Sequence, residues 1–312
     1  MPPLVSVLIP VYNRYELIRP CIQSVLDQTV TDLEVIIVDN ASTDRTWEVC
    51  LEVASLDQRV RVFRNETNVG PVCNWQRCLS MARGTYAKFL YSDDLIMENF
   101  LEETIPYIKS ENVGFVFTMA EIGSHPGKGW LAYGLDTYSR ILPSNLFVDE
   151  ALFGQNVPVS PGAGLFRLSD LRKNLLVSIP SPTLDISKFP EYGAGIDLLV
   201  YLNTSRTYSH FAFVAKPLVF FRAHKGSITI ANSWLRQYYI QAKIWFAKEY
   251  RSTSVLQRCL AFYWLRECKS KRQYISPKVY ASRFVSDGSI GPAAMAWVVP
   301  MWFNRRLRKR KW

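Results

Sequence analysis

No P-loop of the form GxxxxGK followed by Ser or Thr occurs in the 312 residues, and GxGxxG is equally missing. Walker-type nucleotide hydrolysis and Rossmann dinucleotide binding therefore lose their usual signatures. A GxSxG nucleophile elbow is also missing. No two of the six cysteines are spaced CxxC, and several fall on apolar helical patterns. Reduced, buried thiols fit this better than a disulfide framework or a zinc site. No long apolar run exists either. The longest, Ala293 to Phe303, is broken by Pro300 and is shorter than the roughly 20 residues a bilayer crossing takes. The amino terminus lacks a basic region followed by an apolar one, so no signal peptide is expected and the chain reads as cytoplasmic. Acids are missing from the last eight residues, Arg305 to Trp312, which carry six of the ten net positive charges. The remainder is only mildly basic, which points away from a nucleic-acid-coating protein and towards a local anionic partner for the tail.

What is present begins with alternating strand and helix signals. Val5 to Ile9 is a short β-branched run ended by Pro10, and Tyr15 to Gln28 has helical spacing. Leu33 to Val38 reads as a second buried strand. The polar stretch Asp39 to Asp44 leads into a helix through about Leu56, with Ser42 or Thr43 as the expected N-cap. Val60 to Phe63 and Tyr86 to Tyr91 complete four strands. Strands alternating with helices of this length predict βαβ units and a mainly parallel sheet flanked by helices. Ligands of such sheets bind beyond the carboxyl ends of the strands. Polar residues cluster at those ends: Asn13, Asp39, Asn65 to Asn68, then Asp93 and Asp94. Further on, Gly114 to Ala120 reads as a strand, Glu121 to Gly134 as a Gly-rich loop, and Ser160 to Arg167 as a turn entering a strand. Ile196 opens a helix, and Val214 to Phe221 is strand-like with Pro217 at its start or in a bulge. Two helical patterns rich in Trp and Tyr fill Ser233 to Lys269. They could form a homodimer interface, a membrane-facing surface or a second core.

Adjacent carboxylates at a strand end repel each other and favour a cation, which would complete its shell from water and phosphates. By themselves they fit a solvated helix-capping turn better. Four separated strings change that balance: Ser6-Val-Leu-Ile-Pro-Val-Tyr-Asn13, Val38-Asp-Asn-Ala-Ser-Thr-Asp44, Asn68-Val-Gly-Pro71, and Ala82-Arg-Gly-Thr-Tyr-Ala-Lys-Phe-Leu-Tyr-Ser-Asp-Asp94. In order and spacing they resemble glycosyltransferase family 2, strongly over the first hundred or so residues and more weakly to about residue 230.

The resemblance implies a GT-A fold, Rossmann-like, with a carboxyl-terminal helical extension. The catalytic domain would span 1–230, with a nucleotide-binding half at 1–110 and an acceptor half at 111–230. The extension with its basic, aromatic tail would span 231–312. Pro10, Tyr12 and Asn13 would line the base pocket of the nucleotide, and Asp39 would accept a hydrogen bond from the base. Asp93 would touch the ribose or metal-bound water. Asp94 would bind Mn2+ or Mg2+. His224, in Arg222-Ala-His-Lys-Gly-Ser227, resembles the family's loop that reaches the metal or diphosphate. Read alone it fits a solvated surface histidine between two basic residues better; the strand–loop context makes the two readings equal. Tyr12 alone could be a core aromatic, Asp44 looks like a helix-start residue, and Asn68 and Gly70 could equally shape a turn.

Asp197 is the expected general base, ahead of Glu191 and Asp185. The family usually has an acidic pair there, whereas this chain has Ile196-Asp197, and an acid at a helix start also stabilises the helix dipole. Gly162 and Ala163 would leave room for donor or acceptor.

The implied activity is inverting transfer of a sugar from a nucleotide-diphosphate donor, UDP-sugar favoured, to a hydroxyl of a saccharide or lipid-linked acceptor, in cell-surface polysaccharide or glycolipid synthesis. A non-catalytic scaffold that keeps the fold and a sugar nucleotidyltransferase are the alternatives. The latter class uses a Gly-rich phosphate loop near the amino terminus, and Tyr12-Asn-Arg-Tyr-Glu16 has no glycine. Trp297, Trp302, Phe303 and Trp312 beside the basic run predict a peripheral contact with the inner face of the membrane.

Overall fold

Each of the seven residues of β1 (Val5–Val11) is buried, because both faces of this strand are covered. Val5, Val7, Ile9 and Val11 join one apolar cluster and Leu8 the other, as a period of two requires. The computed structural model describes residues 2–224, 226, 232–286 and 288–306. After β1 come α1 (Tyr15–Leu26), β2 (Leu33–Asp39), α2 (Thr46–Leu56), β3 (Val60–Arg64), α3 (Pro71–Met81) and β4 (Tyr86–Phe89). Then follow β5 (Leu95–Ile96), α4 (Phe100–Ile108), β6 (Val113–Gly123), β7 (Trp130–Ala132), β8 (Arg140–Pro143) and α5 (Ser144–Phe153). A 3-10 turn (Pro161–Ala163) leads into β9 (Gly164–Arg167), α6 (Leu168–Asn174), α7 (Lys188–Tyr192), α8 (Ile196–Thr204) and β10 (His210–Arg222). The remaining helices are α9 (Arg236–Tyr250), α10 (Thr253–Lys271), α11 (Pro277–Ala281) and α12 (Pro292–Arg306).

One sheet takes the order β3-β2-β1-β4-β9-β6-β10-β5, with β7 on β6 and β8 on β10. The pairs β1–β2, β1–β4, β2–β3 and β6–β10 are parallel. β9 runs antiparallel between β4 and β6 and joins the two parallel parts. The sequential strands β1, β2 and β3 step one way from β1, and β4 lies on its other side. That reversal is the switch point at which open α/β sheets bind ligands. Asp39 ends β2, and Asp93 and Asp94 follow β4, so both lie beside it.

Three local expectations change. α2 starts at Thr46 without a side-chain cap, because the candidate caps are used elsewhere. Ser42 Oγ accepts from Asn13 N at 2.9 Å, and Thr43 N donates to Asn13 Oδ1 at 2.8 Å. Asp44 sits just before the helix and accepts from Thr46 N at 3.0 Å. Glu121 to Gly134 is a hairpin rather than a loop. β6 runs on to Gly123, β7 pairs back on it, and the Glu121 carboxylate accepts from Gly127 N and Gly129 N at 3.0 and 2.7 Å. β4 ends at Phe89, two residues short of the apolar run. Pro217 lies at a register shift in β10.

The aromatic helices after Ser233 belong to the main core. Leu235, Tyr238, Ile240, Ile244, Phe246 and Leu260 share one buried cluster with Phe189, Ile196 and Leu199. The six cysteines are free thiols, four of them buried. No helix among the described residues is long and apolar enough to cross a membrane. The last residues of the basic tail, Leu307 to Trp312, lie outside the described residues, as do Lys225 and Ser227 to Ala231 of the loop after His224.

Candidate active site

At the switch point two loops are tied together. Asn13 sits at φ 50°, a conformation that a short polar side chain tolerates when it bonds locally, and Ala41 sits at φ 61° without such a side chain. Asn13 supplies that bond through Thr43 N. Asp39 is wholly buried. Its carboxylate takes Ser42 N at 3.2 Å and lies 3.0 Å from Arg64 Nε. Pro10 is buried behind it, while Tyr12 is 40% exposed. Below lies a set of asparagines: Asn40 Nδ2 donates to Asn68 Oδ1 at 2.8 Å, and Asn65 Nδ2 donates to Asn40 Oδ1 and Asn74 Oδ1 at 2.8 and 2.9 Å. Asn68 Oδ1 also accepts from Gly70 N at 3.0 Å. Asn68 and Gly70 thus shape the turn into α3.

The second group forms because β5 pairs antiparallel with β10, Leu95 opposite Phe220. This pairing brings a segment 128 residues distant onto the acid pair. Arg222 N donates to Asp94 Oδ1 at 2.9 Å, and Arg222 Nε donates to the Asp93 carbonyl at 3.0 Å. His224 Nε2 lies 2.8 Å from Asp93 Oδ2. His224 Nδ1 accepts from Gly226 N at 3.1 Å, so Nε2 carries the proton given to Asp93. Arg14 Nε stands 3.8 Å from the same Asp93 oxygen. Burial, with the Asp93 charge beside it, pushes the Asp94 carboxyl well above the ordinary carboxylate range.

Under this turn Lys88 is fully buried and donates to the carbonyls of Phe89 (2.9 Å) and Gly162, with Phe100 at 4.7 Å. Burial pulls its ammonium down to about 7, against the opposing pull of Asp94. Gly162 is therefore part of a packed, bonded turn: a Cβ there would meet Phe221 at 3.2 Å and Tyr91 at 3.3 Å.

Among the described residues no three His, Cys, Asp or Glu side chains converge as a ready cage for a metal ion. The donor chemistry still fits one. Asp94 is a buried carboxyl whose charged form is disfavoured, a second carboxylate adjoins it, and an imidazole is in reach of the pair. Oxygen and imidazole donors suit Mn2+, with substrate phosphates completing the shell.

The third group lies at the start of α8. Gly193 and Gly195 take φ 72° and 86°. A Cβ on Gly193 would strike the Trp75 ring, and one on Gly195 would come within 2.7 Å of the Tyr238 carbonyl. The bend delivers Asp197 buried, with Oδ1 accepting from Gly195 N (2.9 Å) and Leu198 N (2.8 Å), and Oδ2 accepting from Tyr239 at 2.7 Å. Burial raises its carboxyl to about 7, although all these bonds pull downward. The other two candidate bases differ. Asp185 and Glu191 are exposed. Asp185 is bonded to Ser187 at 2.6 Å and Glu191 is paired with Lys188, and those partners hold both carboxyls below their usual range.

Tyr91 and Tyr133 are within electrostatic reach of both acid groups. Burial and the charges of Asp197 and Asp94 raise both phenols. The motif reading did not single out Arg14, Lys88, Tyr91, Tyr133 or Tyr239. Arg222 was weighed only as a neighbour of His224. Only Lys88 carried a local signal, a lone charge inside an apolar strand.

The profile of glycosyl transferase family 2 matches residues 6–174. Over 150 residues the chain is 34% identical to the putative teichuronic acid biosynthesis glycosyltransferase TuaG of Bacillus subtilis, covering 48% of this chain and 57% of that protein. Over 116 residues it is 33% identical to the glycosyltransferase GlyG of Streptococcus pneumoniae, covering 37% and 38%. The chain thus spans about half the length, or less, of these curated relatives. In structure it is similar to residues 1–349 of TarS from S. aureus in complex with UDP, with a TM-score of 0.63 at 18% identity over 86% of this chain and 72% of that one. It is also similar to the mannosyltransferase PcManGT of Pyrobaculum calidifontis in complex with GDP-Man and Mn2+, with a TM-score of 0.52 at 15% identity over 100% and 77%. Likeness at these identities speaks for the fold, a GT-A glycosyltransferase fold.

Proposed function

Because the chain belongs to glycosyl transferase family 2, we propose that it transfers a sugar from a nucleoside-diphosphate donor to a hydroxyl of a saccharide or lipid-linked acceptor, with inversion, in building a cell-surface polysaccharide or glycolipid. UDP is the favoured nucleotide, in keeping with the UDP and UDP-GlcNAc complexes of TarS. One observation carries the reading: Asp94 and Asp197 are both buried, and the charges of both act on the phenols of Tyr91 and Tyr133.

The roles proposed are those the family resemblance implies, and the geometry supports them as follows. Tyr12, exposed above Pro10 and Asn13, offers a ring to the nucleotide base, and Asp39 beside it accepts from a ring N–H. Asp93 meets the ribose, its carboxylate held by His224 and its backbone carbonyl by Arg222. Asp94, with His224 once its Nε2 gives up the proton shared with Asp93, would hold a divalent cation, which would supply Lewis-acid neutralisation of the leaving diphosphate. Arg14 and Arg222 add positive potential around the same group. Asp197 takes the proton of the acceptor hydroxyl, and a carboxylate titrating near 7 is well matched to that task. In a single displacement the acceptor hydroxyl attacks opposite the departing diphosphate, which gives inversion. The basic aromatic tail is read as a contact with anionic lipid, which would bring the enzyme to a lipid-linked acceptor.

Calorimetric titration of UDP, dTDP and GDP, each with and without Mn2+, tests the donor half. One nucleotide should bind in a metal-dependent way to the wild type and at least tenfold more weakly to Asp94→Ala. If no nucleotide binds, the transfer mechanism is wrong and a scaffold role takes its place.

A further inference from the structure

A second concavity lies outside the acid groups. Helices α9 and α10 and the segment following α5 enclose a cleft of about 290 Å3, small for a ligand pocket. Arg236, Tyr239 and Lys243 line it from α9, Tyr263 and Arg266 from α10, and Gln155 from the third side. Spacings of three and four residues place each helix's set on one face. Among the described residues, three cations and no carboxylate line the cleft. Glu150, an acid of the adjoining α5, lies against Gly154 of the cleft wall and accepts from Asn156 Nδ2 at 3.2 Å.

Two of the cations sit over aromatic rings. Lys243 Nζ lies 5.7 Å from the Tyr263 ring centre and the Arg266 guanidinium 5.5 Å from that of Phe262. Tyr263 is anchored by its hydroxyl, which donates to the Leu152 carbonyl at 2.5 Å. Charges of one sign gathered in a partly enclosed, low-dielectric cleft focus potential on whatever enters it. Arginine paired with lysine suits phosphate, because the guanidinium fork bonds two oxygens at once.

Tyr239 connects this cleft to the chemistry. It forms part of the wall, and its hydroxyl reaches Asp197 Oδ2 at 2.7 Å. A molecule seated in the cleft therefore lies one side chain from the proposed base. We infer that the cleft binds a phosphate group carried by the acceptor, and that it holds the acceptor so that a neighbouring hydroxyl meets Asp197. This rests on the reading of Asp197 as the base of a glycosyl transfer. The phosphate could belong to a polyol-phosphate chain or to a lipid-linked acceptor; the recognition chemistry is the same.

Two probes separate those sources: glycerophosphoglycerol, a soluble phosphodiester, and farnesyl phosphate. Each is titrated calorimetrically against the full chain with saturating UDP, so that the donor site is filled, and glycerol serves as the uncharged control. At least one phosphate probe should bind while glycerol does not, and the tighter probe names the source. Affinity should fall with rising salt. It should drop at least tenfold in the Arg236→Gln/Arg266→Gln double variant and more mildly in Lys243→Gln. UDP affinity and melting temperature, measured on the same variants, should stay at wild-type values. Phosphate binding that is absent, matched by glycerol, or unchanged in the double variant overturns the proposal. Loss of UDP binding in the wild type would strike the donor reading instead, so the two failures are distinguishable.

Discussion

Asp197 shows how much one side chain's surroundings decide. Its neighbours in the field are the phenols of Tyr91, Tyr133, Tyr201 and Tyr239. Burial raises its carboxyl to about 7, and the Tyr239 hydroxyl opposes that rise. As a general base it must be unprotonated, so kcat/KM should climb with pH through about 7. Tyr239→Phe removes a donor to the charged form, so the midpoint of this climb should move to higher pH. A pH–rate profile reads the shift, and an unchanged midpoint would separate Tyr239 from the base. Asp197→Asn should lower kcat by about 10²–10⁴-fold and leave UDP affinity unchanged in calorimetry. Asp197 was legible in the sequence as an acid opening a helix; its burial and its tyrosine partner were not, because Tyr239 comes from a helix 42 residues on.

Among the elements, α8 depends on the bend before it. Gly195 combines φ 86° with close approach to backbone, where a Cβ would stand 2.7 Å from the Tyr238 carbonyl and 3.0 Å from Ala242 Cβ. Gly195→Ala should therefore cost the left-handed strain of roughly 1–2 kcal/mol and, in addition, push α8 away from α9. Gly127→Ala is the control. It has φ 77° but open space around it, so only the strain remains. Chemical denaturation should rank Gly195→Ala as the more damaging, with a fall in kcat that Gly127→Ala does not share. A similar distinction governs the strands. β1 and β2 were readable because each residue alternates between two covered faces. The β6–β7 hairpin was not, because a short strand with exposed Trp130 and Leu131 among glycines carries no apolar period.

For the whole molecule, the helices after residue 231 share their core with the sheet. A boundary drawn at 230 therefore marks a change of sequence pattern, and a chain ending there should show no cooperative melting transition. A chain ending at Arg306 keeps α12, whose Ala294 and Val298 are buried, and should melt as the full chain does. If the tail contacts lipid, that shorter chain should sediment less with anionic vesicles. The sequence alone determined the strand–helix alternation, the family, and the positions of Asp39, Asp93, Asp94 and Asp197, because apolar periodicity and short ordered motifs are local properties of a chain. Tertiary structure decided which of these act together. Arg222 reaches Asp94 through the β5–β10 pairing, and Tyr239 reaches Asp197 by the packing of α9 on α8. The basic cleft exists only where α9, α10 and the end of α5 meet. Contacts of this kind join residues far apart along the chain, and no local pattern records them.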